Sequence, residues 1–130
     1  MAEQDGATMG APVVVLVVED EPIIRMIVVD VLEDEGFAVL AAANADDALA
    51  LLRDRSDVRV LFTDVDMPGT MDGLALARRT AAEWPGVAVL IVSGKAWPRA
   101  GELPEGARFL PKPYVIQAVL DHIRTVAAAA

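Results

Sequence analysis

Val13-Val14-Val15-Leu16-Val17-Val18, followed at once by Glu19-Asp20-Glu21-Pro22, is the stretch that decides the fold. An unbroken aliphatic, β-branched run suits a strand buried on both faces, as in the middle of a parallel sheet; a half-exposed strand would alternate. The abrupt change to acids and proline predicts that the strand stops there. Pro22 fits the first turn of a helix, where its missing N–H costs nothing. Ile24, Ile27, Val28, Val31 and Leu32 then recur at helical spacing, and Gly36 supplies a C′ stop.

The same alternation continues outward. Phe37 to Ala42 reads as a second, less apolar strand, placed at an edge. Asn44 is an N-cap for a helix over Ala45 to Arg53. Val58 to Thr63 forms a third strand with Asp64 at its end. A Pro-Gly loop and a helix from about Asp72 to Glu83 follow, broken by Pro85-Gly86. Val87 to Val92 is a fourth strand, closed by Ser93-Gly94. Ala107 to Leu110 is a fifth, closed by Pro111-Lys112-Pro113. The last helix carries Ile116, Val119, Leu120 and Ile123 on one stripe. Strands alternating with helices imply an α/β fold whose parallel sheet is covered on both faces. Right-handed crossovers and two halves wound in opposite senses favour the order 2-1-3-4-5.

The chain has 130 residues, 55% of them hydrophobic, which suits one globular domain. The expected division is a flexible N-terminal tail over 1–12, one domain over 13–126, and a frayed tail of alanines over 127–130. There is no cysteine, so neither a disulfide framework nor a thiolate metal site. No segment reads as a secretory signal or a membrane span, so a cytoplasmic location is expected. The net charge of −9 would repel phosphate backbones, and the nine arginines and two lysines do not cluster, which argues against nucleic-acid binding.

Polar residues stand at the strand ends: Glu19 and Asp20 after the first, Asp64 after the third, Ser93 after the fourth, Lys112 after the fifth. In the order 2-1-3-4-5 these meet in one crevice, where open α/β sheets bind ligands. Crowded carboxylates need a cation, and oxygen donors of this kind suit Mg²⁺. A carboxylate such as Asp64 can act as a nucleophile toward phosphorus. Lys112 offers a point charge to a phosphoryl oxygen, and Ser93 a hydroxyl. Plainer readings stand beside these. Glu19 and Asp20 also suit the start of the helix at Pro22. Asp64 also suits a turn, Ser93 a helix cap, and Lys112 a solvated surface. Their joint placement on successive strand tips is what favours the chemical reading. His122 has no partner in sequence, and Trp84 and Trp97, beside prolines, read as packing or partner-facing residues.

The pieces VVEDEP, FTDVDMPGTMDG, VLIVSG and RFLPKPY, in this order, resemble the receiver domains of two-component response regulators, from about Val13 to Val126. The resemblance implies a flavodoxin-like three-layer sandwich. It implies that Glu19 and Asp20 are the acidic metal pair, that Asp64 is the phosphoacceptor and a metal ligand, and that the backbone carbonyl of Asp66 is a further ligand. Ser93 matches the hydroxyl residue that moves toward the phosphoryl group, Lys112 the phosphate-contacting lysine, and Phe109 the aromatic switch. Pro113 would follow a cis bond that aims Lys112 into the crevice. Two departures stand out. The loop Met67 to Gly73 is one residue longer than the commonest pattern. The segment 95–106, where a fourth helix would fall, holds Pro98, Gly101, Pro104 and Gly106, so a short or irregular element is expected there.

The implied function is a stand-alone phosphoacceptor that assists its own phosphorylation and dephosphorylation and is not otherwise an enzyme. Its donor would be a sensor histidine kinase or a histidine phosphotransfer protein. Its output would be an unidentified protein or a homodimer, without nucleic acid or membrane. Two other functional classes match parts of the sequence. Asp64-Val65-Asp66 resembles the motif of haloacid-dehalogenase phosphatases, but that motif should end the first strand. A phosphorylation-independent interaction module would not need every charged position.

Overall fold

The computed structural model describes residues 12–67, 69, 71–94, 99 and 101–129. The strands are β1 (Val14–Val18), β2 (Ala38–Ala42), β3 (Val58–Asp64), β4 (Ala88–Ser93) and β5 (Arg108–Pro111). The helices are α1 (Pro22–Asp34), α2 (Ala45–Asp54), α3 (Gly73–Glu83) and α4 (Ile116–Ala129), the last running into the terminal alanines. All strand pairs are parallel, in the order β2-β1-β3-β4-β5. Every residue of β1 is buried, as its aliphatic run requires, while β2 at the edge is only partly covered.

The period of two along β1 sorts its side chains into two cores. Val14, Leu16 and Val18 join Ala48, Leu49 and Leu52 of α2 and Leu76 and Ala77 of α3. Val15 and Val17 join Val28 and Leu32 of α1 and Val119, Leu120 and Ile123 of α4. The result is a three-layer sandwich with α2 and α3 on one face of the sheet and α1 and α4 on the other. Local chemistry sets the helix boundaries. Pro22 opens α1, and Gly36 follows its end at φ +96°, a conformation that costs a residue with a Cβ. The Asn44 side chain accepts from the Asp47 amide at 2.8 Å, and the Asp72 side chain from the Ala75 amide at 2.9 Å. Caps of this type contribute about 1 kcal/mol each.

Between β4 and β5 the described residues 99 and 101–106 form turns and no helix, in line with their prolines and glycines. Leu103 still packs on the α2/α3 core, and Arg78 of α3 donates to the Glu102 carbonyl at 3.0 Å. Trp97, Pro98 and residues 1–11 of the expected tail over 1–12 lie outside the described residues. Trp84, at the end of α3, packs on the same core. Arg53, Arg55 and Arg59, not read as a cluster from the sequence, line one groove at the amino-terminal end of the sheet. Among the described residues no helix is long and apolar enough to cross a membrane.

Candidate functional site

Register brings the strand tips level. Val18 pairs with Thr63, Asp64 with Val92, and Ser93 with Pro111. The residues just beyond these pairs therefore surround one crevice of about 300 Å³, lined by Glu19, Asp20, Glu21, Ile24, Asp64, Asp66, Gly94 and Lys112. Glu19, Asp20 and Asp64 each offer a carboxylate oxygen within 4.8 Å of the others. The Lys112 Nζ lies 2.6 Å from Asp64 Oδ2 and 3.8 Å from Glu19 Oε1. The Lys112–Pro113 peptide bond is cis.

Glu19 and Asp64 are each held by backbone as well as by charge. The Glu21 N–H donates to Glu19 Oε2 at 3.1 Å, and Arg25 Nη1 donates to the Glu19 carbonyl at 2.7 Å. The Asp66 N–H donates to Asp64 Oδ1 at 3.0 Å. Ser93, buried at the tip of β4, donates from Oγ to Asp66 Oδ2 at 3.1 Å. Phe109 lies on β5 against the α2/α3 core and does not line the crevice.

The electrostatics point to a shortage of positive charge. Burial pushes the Glu19 carboxyl above its ordinary value; the Glu21 amide pulls it back, the Asp64 charge adds to the rise, and Lys112 opposes it. Burial alone would lower the Lys112 ammonium, but its hydrogen bond to Asp64 and the charges of Asp64 and Glu19 outweigh this and hold it above its usual value. One ammonium faces three crowded carboxylates. That donor set fits a small hard dication, which accepts a few carboxylates and keeps room for water and phosphate oxygens.

Several participants escaped the sequence reading. Gly73 opens α3 where a better helix former would be expected. A Cβ there would stand 1.8 Å from the Asp64 carbonyl oxygen, and its N–H donates to the Val65 carbonyl at 3.0 Å. Glycine thus lets α3 sit directly on the backbone of the acceptor residue. The only available signal was a glycine at a helix start. Tyr114 is half-buried edge-on to Phe62, with ring centroids 6.1 Å apart. Burial raises its phenol, Lys112 opposes this, and Glu19 and Asp64 reinforce it, so its hydroxyl feels the site. Arg25 and the Asp66 side chain were also unforeseen. His122 lines a small void with Val60, Leu90 and Ile123 and takes no part in the crevice.

The comparisons agree with this geometry. The family model described as "Response regulator receiver domain" matches residues 15–124. The chain is 36% identical over 121 residues to the probable transcriptional regulatory protein TcrX of Mycobacterium tuberculosis, covering 90% of this chain and 50% of TcrX. It is 35% identical over 114 residues to the sensor kinase CckA of Brucella abortus, covering 85% of this chain and 12% of CckA. The chain thus spans half or less of these curated relatives. Among solved structures, a response regulator receiver domain protein from Clostridium thermocellum superposes with a TM-score of 0.77 at 28% identity, covering 88% of this chain and 93% of that one. With a flavodoxin-like strand order, level strand tips and a family match over most of its length, the chain belongs to the response regulator receiver domain family.

Proposed function

We propose that this chain accepts a phosphoryl group on Asp64 from a phosphohistidine and signals by a change in its protein-binding surface. The observation that carries this reading is the Asp64 carboxylate held between the Lys112 ammonium, at 2.6 Å, and the acidic pair Glu19 and Asp20. In the transfer a carboxylate oxygen of Asp64 forms the new O–P bond. The P–N bond breaks, and its electron pair leaves with the donor imidazole. The Asp66 N–H fixes the rotation of the Asp64 carboxylate through Oδ1. Lys112 offers its remaining donors to a phosphoryl oxygen, and Ser93 offers another. Such positioning and neutralisation supply most of what phosphoryl transfer needs. Mg²⁺, held by Glu19, Asp20, Asp64 and the Asp66 carbonyl, would supply the missing positive charge.

The donor is a sensor histidine kinase or histidine phosphotransfer protein. Among the described residues, the exposed large hydrophobics are Ile23, Ile24, Met26, Ile27 and Val115. They lie at the start of α1 and just before α4, beside the crevice that any donor must cover to deliver its phosphoryl group. Such a patch at the rim fits an apolar docking face. The receiver unit is residues 13–126, acting in the cytoplasm. Phosphorylation would shift Ser93 and Phe109 and so bias the surface around β4 and β5. The expected result with a small phosphodonor and Mg²⁺ is an intact-mass gain of one phosphoryl group, lost in Asp64→Asn. A gain that persists in that variant would sink the acceptor assignment.

A further inference from the structure

We propose that the Asp66 side chain is a positioning residue: it holds the Ser93 hydroxyl away from Asp64 until Asp64 is phosphorylated. This rests on the phosphoacceptor reading above. It concerns the Asp66 carboxylate, which that reading does not use.

Asp66 has two attachments to the site through different atoms. Its N–H donates to Asp64 Oδ1 at 3.0 Å, which ties its backbone to the acceptor. Its Oδ2 accepts from Ser93 Oγ at 3.1 Å, which ties its side chain to the tip of β4. The backbone on either side is held as well. The Met67 N–H donates to the Val65 carbonyl at 3.1 Å, and the Lys112 N–H donates to the Ser93 carbonyl at 2.9 Å. The bond between Ser93 and Asp66 is thus made by the two side chains, while backbone bonds hold the chain beside them.

A serine hydroxyl has one hydrogen, and an ionised carboxylate only accepts. While Ser93 donates to Asp66, it cannot give that hydrogen to an oxygen on Asp64. The Asp66 carboxylate and a phosphoryl group on Asp64 thus compete for a single donor. Before phosphorylation Asp66 holds it. Afterwards the phosphoryl group presents several anionic acceptor oxygens, and its charge repels the Asp66 carboxylate through which the hold is exerted. Each effect favours release of Ser93. The latch therefore opens in response to the charge it senses, and it sets the unphosphorylated protein further from the active conformation.

The test is a double-mutant cycle read by beryllofluoride affinity in the presence of Mg²⁺, using the full chain as wild type, Asp66→Ala, Ser93→Ala and the double variant. Removing a competing charge-assisted hydrogen bond should tighten beryllofluoride binding about tenfold in Asp66→Ala. Most of that gain should vanish when Ser93 is alanine. Loss of a nearby negative charge would act equally in both backgrounds, and equal tightening, or none, overturns the proposal.

A second measurement needs no ligand on the variants. In metal-free Asp66→Ala, the Ser93 and Phe109 amide resonances should move toward their positions in beryllofluoride-bound wild type. Asp66→Asn, which keeps an acceptor oxygen, should stay near the free wild type. Resonances that do not move in Asp66→Ala, or that move as far in Asp66→Asn, overturn the latch. Wild type that fails to bind beryllofluoride overturns the phosphoacceptor reading and the latch with it. Wild type that binds but shows no coupling overturns the latch alone.

Discussion

Two ion pairs of equal length sit at opposite ends of the sheet. At the carboxyl end, Lys112 Nζ meets Asp64 Oδ2 at 2.6 Å, with side-chain exposures of 27% and 5%. At the amino end, Arg55 Nη2 meets Asp57 Oδ2 at 2.6 Å, with exposures of 42% and 49%. The distances match, but the consequences do not. Asp57 is held below the usual carboxylate range by its Arg55 hydrogen bond, and both side chains stand largely in solvent. Water and salt can replace either partner. Asp64 is buried beside other carboxylates, so its lysine partner is also the nearby compensation for a crowded site. Burial and neighbours, rather than distance, decide what an ion pair does.

The contrast can be broken or sharpened by substitution, beginning with the largest expected effect. Gly73→Ala tests how tightly the carboxyl end is built. Its methyl would collide with the Asp64 carbonyl, and backbone cannot yield cheaply, so a loss of about 3 kcal/mol in urea unfolding is expected. Stability unchanged from wild type would show that α3 shifts freely and that the close approach is incidental.

Lys112→Ala comes next. It leaves Asp64 and Glu19 without their ammonium, and a loss of about 2 kcal/mol is expected in metal-free buffer, smaller than for a fully buried pair because Lys112 is partly exposed. Arg55→Ala should cost only a small fraction of that. Comparable losses in the two variants would abolish the distinction between the two ends.

The smallest effect is the dependence on pH, where the two ends have opposite signs. The folded-state pKa of Glu19 is raised above 4.5, so the fold binds its proton more tightly than the unfolded chain does. Its ionisation destabilises the protein as pH rises from 4.5 through the folded value. The folded-state pKa of Asp57 is lowered below 3.8, so its contribution is stabilising above 3.8 and is lost as pH falls through the folded value. In metal-free buffer, Glu19→Gln should therefore gain stability over wild type at pH 7 and lose that advantage on acidification. Asp57→Asn should show a small deficit at pH 7 that fades below 3.8. Urea melts across this range check both. A Glu19→Gln chain less stable than wild type at pH 7 would mean that its bond to the Glu21 amide outweighs its burial.

The amino acids from Val13 to Pro22 were enough to identify a central buried strand and the helix after it, because side-chain period and burial are local properties. The acids at 19, 20 and 64, Ser93 and Lys112 were legible as one group once the strand order was inferred, since parallel strands carry their carboxyl ends to the same edge. The irregular stretch before β5 was legible from its prolines and glycines.

Tertiary structure alone decided the rest. That Gly73 touches the acceptor backbone depends on how closely α3 settles on β3. That Ser93 bonds to Asp66, 27 residues away, depends on the pairing of β3 with β4. That Tyr114 lies near Lys112 and Glu19 depends on the path of the chain into α4. Sequence patterns record which face a residue takes and where an element ends. Contacts between side chains from different elements are fixed to tenths of an ångström only when the layers close on one another, and that is the scale on which a hydroxyl chooses its acceptor.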